Sequence, residues 1–329
     1  MQNIFGKKIE NIKLIIRIFL ILISFLAFSI FIFFIFQTQE NIEIKNNEKE
    51  NKIIEEEKTT EEKVYDFKTV EIKAKSAIVW DLKKDKALFK KNNNTSLPLA
   101  SLTKIMTSLV ATEEADPYLT VLMKPSFLQQ YGDSGLFANE IWYLKDLIDI
   151  TMLTSANDAA YAIASNIGPQ TREKKENETE FFVSKMNQKA RELNLSKTSF
   201  QNPTGLDINE RSAGAYGSAN DMVKLVSYTL KKHPEILLPT RHKEIRKTSL
   251  NNNLHNFTNT NSFIYNMNGL IASKTGYTDL AGGNLMVVVN VDLNYPIIII
   301  VMNSGFNSRF EDTEKLIKAT HNHLSNYDN

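Results

Sequence analysis

The sequence predicts one α/β domain whose sheet is completed by segments from both ends of the chain, carried behind an N-terminal membrane-spanning helix. Three observations lead there. Strand-like segments lie early and late, helix-like segments fill the middle, and a 19-residue run without charge stands near the N-terminus. With 329 residues and 42% hydrophobic content, the chain suffices for one large domain or two modest ones.

Taken in order, the first element is Ile18–Phe36, interrupted only by Ser24, Ala27 and Ser29. At about 1.5 Å per residue such a helix spans the hydrocarbon core of a bilayer. Lys7, Lys8, Lys13 and Arg17 precede it, whereas Gln37, Thr38, Gln39 and Glu40 follow. The positive-inside bias therefore assigns residues 1–17 to a cytoplasmic basic tail and everything after Phe36 to the outside. A cleaved signal peptide fits less well, because the run is long and no small-x-small site follows it. Residues 37–68 read as a charged linker: nine Glu and five Lys fall between Gln37 and Lys63, with no aromatic residue, Pro or Gly. Such a stretch cannot bury enough apolar surface to offset its ordering entropy.

The folded domain is expected over residues 69–329. Ser76–Leu82 and Lys86–Lys90 read as strands joined by the turn-prone Lys83–Lys84–Asp85. Helical patterns begin near Ser101 and Ser155 and recur at Glu178–Leu195 and Ala219–Lys232. Leu285–Val291 and Ile297–Met302 are β-branched apolar runs around Asp292–Pro296, a buried hairpin, and Arg309–Leu324 is an amphipathic closing helix.

Composition excludes several classes. A net charge of +1 gives no footprint for nucleic acid. Cysteine is absent, which removes disulfides, thiolate metal sites and a cysteine nucleophile. The five histidines are scattered, and His321 and His323 would point to different helix faces, so no metal site is expected.

The chemistry begins at Ser101-Leu-Thr-Lys104. A serine and a lysine three apart at a helix start share a face, and a desolvated lysine can accept the hydroxyl proton. Alone the motif also describes an N-cap serine beside a surface lysine. Ser155-Ala-Asn157 offers a proton relay and an amide for substrate, but Ser-x-Asn recurs at Ser218-Ala-Asn220, which reads as a helix cap, and at Ser249-Leu-Asn251. Lys274-Thr275-Gly276 occurs once and follows the strand-like Gly269–Ser273; it supplies a cation, a hydroxyl and a close backbone approach. The three in this order resemble the S-x-x-K, S-D-N and K-T-G signature of penicillin-binding proteins and class A β-lactamases, with alanine in the middle of the second.

On these motifs the chain resembles the low-molecular-mass D-alanyl-D-alanine carboxypeptidases, a family of serine peptidases. The resemblance runs from about Ser76 to Leu316 and includes Leu97–Thr107, Thr154–Ala160, Asn202–Asp207, Asn259–Asn261 and Lys274–Gly282. It implies a β-lactamase/transpeptidase-like α+β fold, a mainly antiparallel sheet flanked by helices with a helical subdomain. It also implies Ser101 as nucleophile, Lys104 as its base and Ser155 as proton relay. Asn157, Lys274, Thr275 and Gly276 would hold substrate. The N–H groups of Ser101 and Tyr277 would form the oxyanion hole, and Arg309 would contact the terminal carboxylate. The implied substrate is a peptidoglycan stem peptide ending in D-Ala-D-Ala, the implied inhibitors are β-lactams, and no cofactor is required.

Departures from the family pattern are the N-terminal position of the anchor and Asn139, where relatives place a glycine turn. A D,D-endopeptidase or transpeptidase would use the same residues. A β-lactamase fits less well, because Ser-Ala-Asn departs from Ser-Asp-Asn and no deacylating glutamate motif is evident. A non-catalytic binder is disfavoured, since every catalytic position is filled.

Overall fold

The computed structural model describes residues 66–132, 134–167, 178–264 and 267–326. Along the chain come β1 (Ser76–Asp81), β2 (Lys86–Lys91), α1 (Thr103–Glu114), α2 (Leu144–Thr154), α3 (Asn157–Asn166), α4 (Glu178–Glu192) and α5 (Ala219–Lys232). The last four are β3 (Leu270–Thr278), β4 (Gly282–Asn290), β5 (Pro296–Ser304) and α6 (Ser308–Ser325). The five strands form one antiparallel sheet in the order β3-β4-β5-β1-β2. The early strands thus dock on the late ones, Ser76 facing Met302 and Asp81 facing Ile297.

Side chains alternate across a strand, so one sheet supplies two cores. Ile78, Met286, Val288, Ile298 and Ile300 face the helical side, where they join residues of α1 to α5. Ala77, Val79, Leu285, Val287, Val289, Ile297, Ile299 and Val301 face the other way, against Phe310 and Leu316 of α6. Both faces are covered, which is why β4 and β5 read as unbroken apolar runs rather than as alternating ones. Phe67, inside the segment read as linker, stacks on Phe89 at 5.7 Å between ring centroids.

The helical subdomain is built around α1, whose residues Thr103 to Ala111 are all buried. Two short ribbons border it, Thr120–Leu122 with Ile141–Tyr143 and Glu244–Thr248 with Leu254–Thr258. A buried contact joins them: Glu140 Oε1 lies 2.7 Å from His255 Nε2, and its other oxygen accepts from Trp142 Nε1 and Phe137 N. Burial pushes the Glu140 carboxyl up, but the hydrogen bonds from Phe137, Asn253 and His255 outweigh it and hold the group below its ordinary value. Asn139 adopts φ 66, the left-handed region that a glycine turn would use and that asparagine enters more readily than most residues.

Ser218 caps α5, its Oγ accepting from Asp221 N at 3.1 Å. Ser155 does not begin a helix. It is the left-handed break, φ 62, between α2 and α3, and the helix resumes at Asn157. Among the described residues no helix is long and apolar enough to cross a membrane. The expected span at 18–36, the tail at 1–17 and the linker up to residue 65 lie outside the described residues.

Candidate active site

Three pieces of chain converge on one cleft of about 740 Å³, lined among others by Ser101, Ser155, Asn157, Thr275, Gly276, Tyr277 and Arg309. The first piece is the 3₁₀ turn Ala100–Leu102 that leads into α1. It is pinned to the sheet by Asn284 of β4, whose Nδ2 donates to Pro98 O at 2.9 Å and Leu99 O at 3.0 Å. From the other side Gly205 presses on it. A Cβ there would fall 1.9 Å from Ala100 O, and its φ of +79 also demands glycine.

One turn further on, Lys104 Nζ lies 2.9 Å from Ser101 Oγ, as the i,i+3 spacing anticipates. The same nitrogen reaches Asn157 Oδ1 at 2.6 Å and the Thr204 carbonyl at 2.7 Å. Those two oxygens only accept, whereas a serine hydroxyl also donates. A neutral amine therefore satisfies all three contacts, giving two hydrogens and receiving the Ser101 proton. Lys104 is fully buried, and that burial lowers its pKa to about 7, against an opposing pull from Asp158.

The second piece is the break at Ser155. Its strained left-handed backbone turns Oγ toward β3, where Lys274 Nζ donates to it at 2.7 Å. Asn157, at the first turn of α3, is held from both ends: Oδ1 on Lys104, and Nδ2 on the Tyr131 carbonyl at 2.6 Å.

The third piece is β3. Lys274 is 1% exposed, and burial first, then Lys104 and Arg309, holds its pKa well below the usual lysine value. Thr275 Oγ1 lies 2.6 Å from Thr260 Oγ1. Gly276 passes the serine turn so closely that a Cβ would sit 3.1 Å from Ser101 N. That approach packs the serine turn against β3, and Ser101 and Tyr277 both line the cleft there. Arg309, on the first turn of α6, is 4% exposed and donates from Nη1 to the Gly276 carbonyl at 3.0 Å. Its Nε is buried without a partner, and burial lowers the guanidinium to about 10 while Tyr277 pulls it back up.

The structure thus brings together all nine residues that the sequence nominated. It adds four that side-chain motifs did not assign a role. Thr204 contributes a backbone carbonyl to Lys104, and the Asn202–Asp207 loop that presents it is tied by Asn202 Oδ1 to Gly205 N at 2.7 Å. Thr260 contacts Thr275, Asp158 faces Lys104 electrostatically, and Tyr131 positions Asn157. A larger cavity of about 810 Å³ lies between Leu144–Asp149 and Glu235–Lys247. Lys247 and Asp149 of its lining belong to an ion cluster with Asp146, and no serine–lysine pair lines it.

A protein-family model described as D-alanyl-D-alanine carboxypeptidase matches residues 57–305. The D-alanyl-D-alanine carboxypeptidase DacF of Bacillus subtilis is 33% identical over 211 residues, which is 62% of this chain and 51% of the relative. The D-alanyl-D-alanine endopeptidase of Escherichia coli is 29% identical over 253 residues, 75% of this chain and 76% of the relative. This chain therefore spans about half the length of the first and three quarters of the second. Among solved structures, penicillin-binding protein D2 of Listeria monocytogenes in its cefotaxime-bound form superposes with TM-score 0.65 at 28% identity, covering 76% of this chain and 98% of that one. A variant of the Streptomyces K15 DD-transpeptidase, 22% identical with TM-score 0.69, covers 77% of this chain and 99% of its own and shares the fold.

Proposed function

Because the chain belongs to the D-alanyl-D-alanine carboxypeptidase family, whose model covers residues 57–305, we propose that it removes the terminal D-alanine from peptidoglycan stem pentapeptides. The observation that carries this reading is the buried Lys104, held beside Ser101 Oγ at 2.9 Å with its pKa lowered to about 7. Lys104 takes the Ser101 proton as Oγ attacks the penultimate carbonyl, and the oxyanion is received by the Ser101 and Tyr277 N–H groups. The C–N bond then breaks. Ser155, linked to Lys274, relays a proton to the departing amine, and free D-alanine leaves. Water, deprotonated by the same base, hydrolyses the acyl-enzyme and restores the serine. Lys274, Thr275 and Arg309 hold the terminal carboxylate; Asn157 holds the peptide amide. β-Lactams would acylate the same serine.

We also assign the protein to the cytoplasmic membrane, with a single N-terminal span at 18–36, the tail inside and the catalytic domain outside. The uncharged run and the preceding lysines support that topology.

Full-length protein in membranes is incubated with a fluorescent penicillin and then with a pentapeptide ending in D-Ala-D-Ala. Wild type should form the adduct and release D-alanine, and Ser101→Ala should do neither. An adduct without D-alanine release would favour the endopeptidase reading. Protease added to right-side-out vesicles should remove the domain, and protection would contradict the topology.

A further inference from the structure

Resting on the carboxypeptidase reading above, we propose that Phe306 limits the leaving-group subsite to a residue with a small side chain, and so selects terminal D-alanine over a cross-linked acceptor. Phe306 lies in the turn between β5 and α6, three residues before Arg309. Its ring is 57% exposed and lines the same cleft as Ser101. The ring centroid stands 4.6 Å from Arg309 Cζ, while Phe310 covers the guanidinium at 4.8 Å. Tyr277, itself 48% exposed, meets Phe306 edge to face at 5.2 Å and 84°.

Such contacts orient a guanidinium as well as attract it, because the ring faces are electronegative. Arg309 is therefore in contact with two aromatic rings, one buried and one standing in the cleft. Arg309 lines the cleft and keeps Nε without a partner, so donor capacity remains for a carboxylate. What stands beside that carboxylate is an aromatic wall.

The consequence follows from the leaving groups. Hydrolysis of D-Ala-D-Ala expels an amine on a carboxylate-bearing D-centre whose side chain is a methyl. Cleavage of a cross-link through a diamino acid expels an amine on a similar D-centre, but its side chain continues into a second stem peptide. The carboxylate contact is the same in both, so Arg309 cannot tell them apart. Only the space next to it can, and Phe306 with Tyr277 occupies that space. Phe306 thus acts on specificity through size, whereas the catalytic residues stay common to both reactions.

The test uses the full-length protein and a series of acyl peptides ending in D-Ala-Gly, D-Ala-D-Ala, D-Ala-D-Leu and D-Ala-D-Phe, together with a cross-linked muropeptide dimer. Relative kcat/KM values are compared for wild type, Phe306→Ala and Phe306→Trp, with fluorescent-penicillin labelling to verify a folded site. Wild type should prefer D-Ala-D-Ala over the bulky members and the dimer by about tenfold or more, Phe306→Ala should cut that preference by about tenfold, and Phe306→Trp should sharpen it. A preference that is the same in all three proteins overturns the proposal alone. So does an equal loss on every substrate, which would mean that the ring merely supports Arg309. A wild type that labels with penicillin but releases nothing from D-Ala-D-Ala overturns the carboxypeptidase reading and, with it, this one.

Discussion

At the scale of single residues the cleft is governed by the cost of burying charge. Lys104, Lys274 and Arg309 are all nearly inaccessible, and burial is the leading cause of the lowered pKa of each. For Lys104 the result is a base that is half free near pH 7. The sign follows directly: below about 7 the amine is protonated and cannot take the serine proton, and above it the amine is free. Acylation by a penicillin, measured as the second-order rate against pH, should therefore rise through about 7 and level off. A flat profile from pH 5.5 to 8.5 would remove Lys104 from the role of base. Lys104→Arg retains a cation that cannot lose its proton and should slow acylation by at least about a hundredfold.

Individual elements decide whether these residues meet. The approach to the serine turn, Leu97–Pro98, pairs antiparallel with Tyr216–Gly217, and Asn284 ties it in addition to the main sheet. Its Nδ2 holds the Pro98 and Leu99 carbonyls, and its Oδ1 accepts from Asn303 N at 2.8 Å, so a single side chain joins β4, β5 and the nucleophile's approach. Asn284→Ala would take this partner from the Pro98 carbonyl and the Asn303 N–H, while Leu99 O keeps the Leu102 N–H, at a cost of about 3 kcal/mol in urea-induced unfolding. It should also slow penicillin acylation, since the turn carries both Ser101 Oγ and an oxyanion donor. An unchanged unfolding midpoint would show that the turn is held by other means.

Over the whole molecule, stability depends on closing the sheet from both ends of the domain. Asp312 in α6 does this far from the cleft. Its carboxylate is fully buried and accepts from Lys73 N at 2.9 Å, Ala74 N at 2.8 Å and Ser304 Oγ at 2.7 Å. It thereby ties the segment leading into β1, the end of β5 and the last helix into one unit. Asp312→Ala removes three hydrogen bonds at a buried charged acceptor and should destabilise the domain by about 3 kcal/mol or more, read as a lowered thermal midpoint. A midpoint unmoved by this change would mean that the N-terminal segment is dispensable to the fold.

Much of this was legible in the sequence because it rests on local spacing. Ser101 and Lys104 share a helix face by i,i+3 geometry, β4 and β5 declare themselves as β-branched runs, and the Ser218 cap precedes its helix as capping residues do. Asn139 in place of a turn glycine was also legible, and its left-handed backbone explains how the exchange is accommodated. The helix start near Ser155 was legible, but the helix that ends at Thr154 and the break after it were not, since a left-handed serine leaves no mark in composition. Nor could Thr204 be found, because it acts through a carbonyl that every residue possesses. Tertiary structure alone decided the protonation of the base, since desolvation is a property of what packs around Lys104 and not of its neighbours in sequence. The same holds for Phe306. Its neighbour Arg309 is close in the chain, but Tyr277 reaches it from β3, and only the folded sheet brings the aromatic pair to the side of the leaving group.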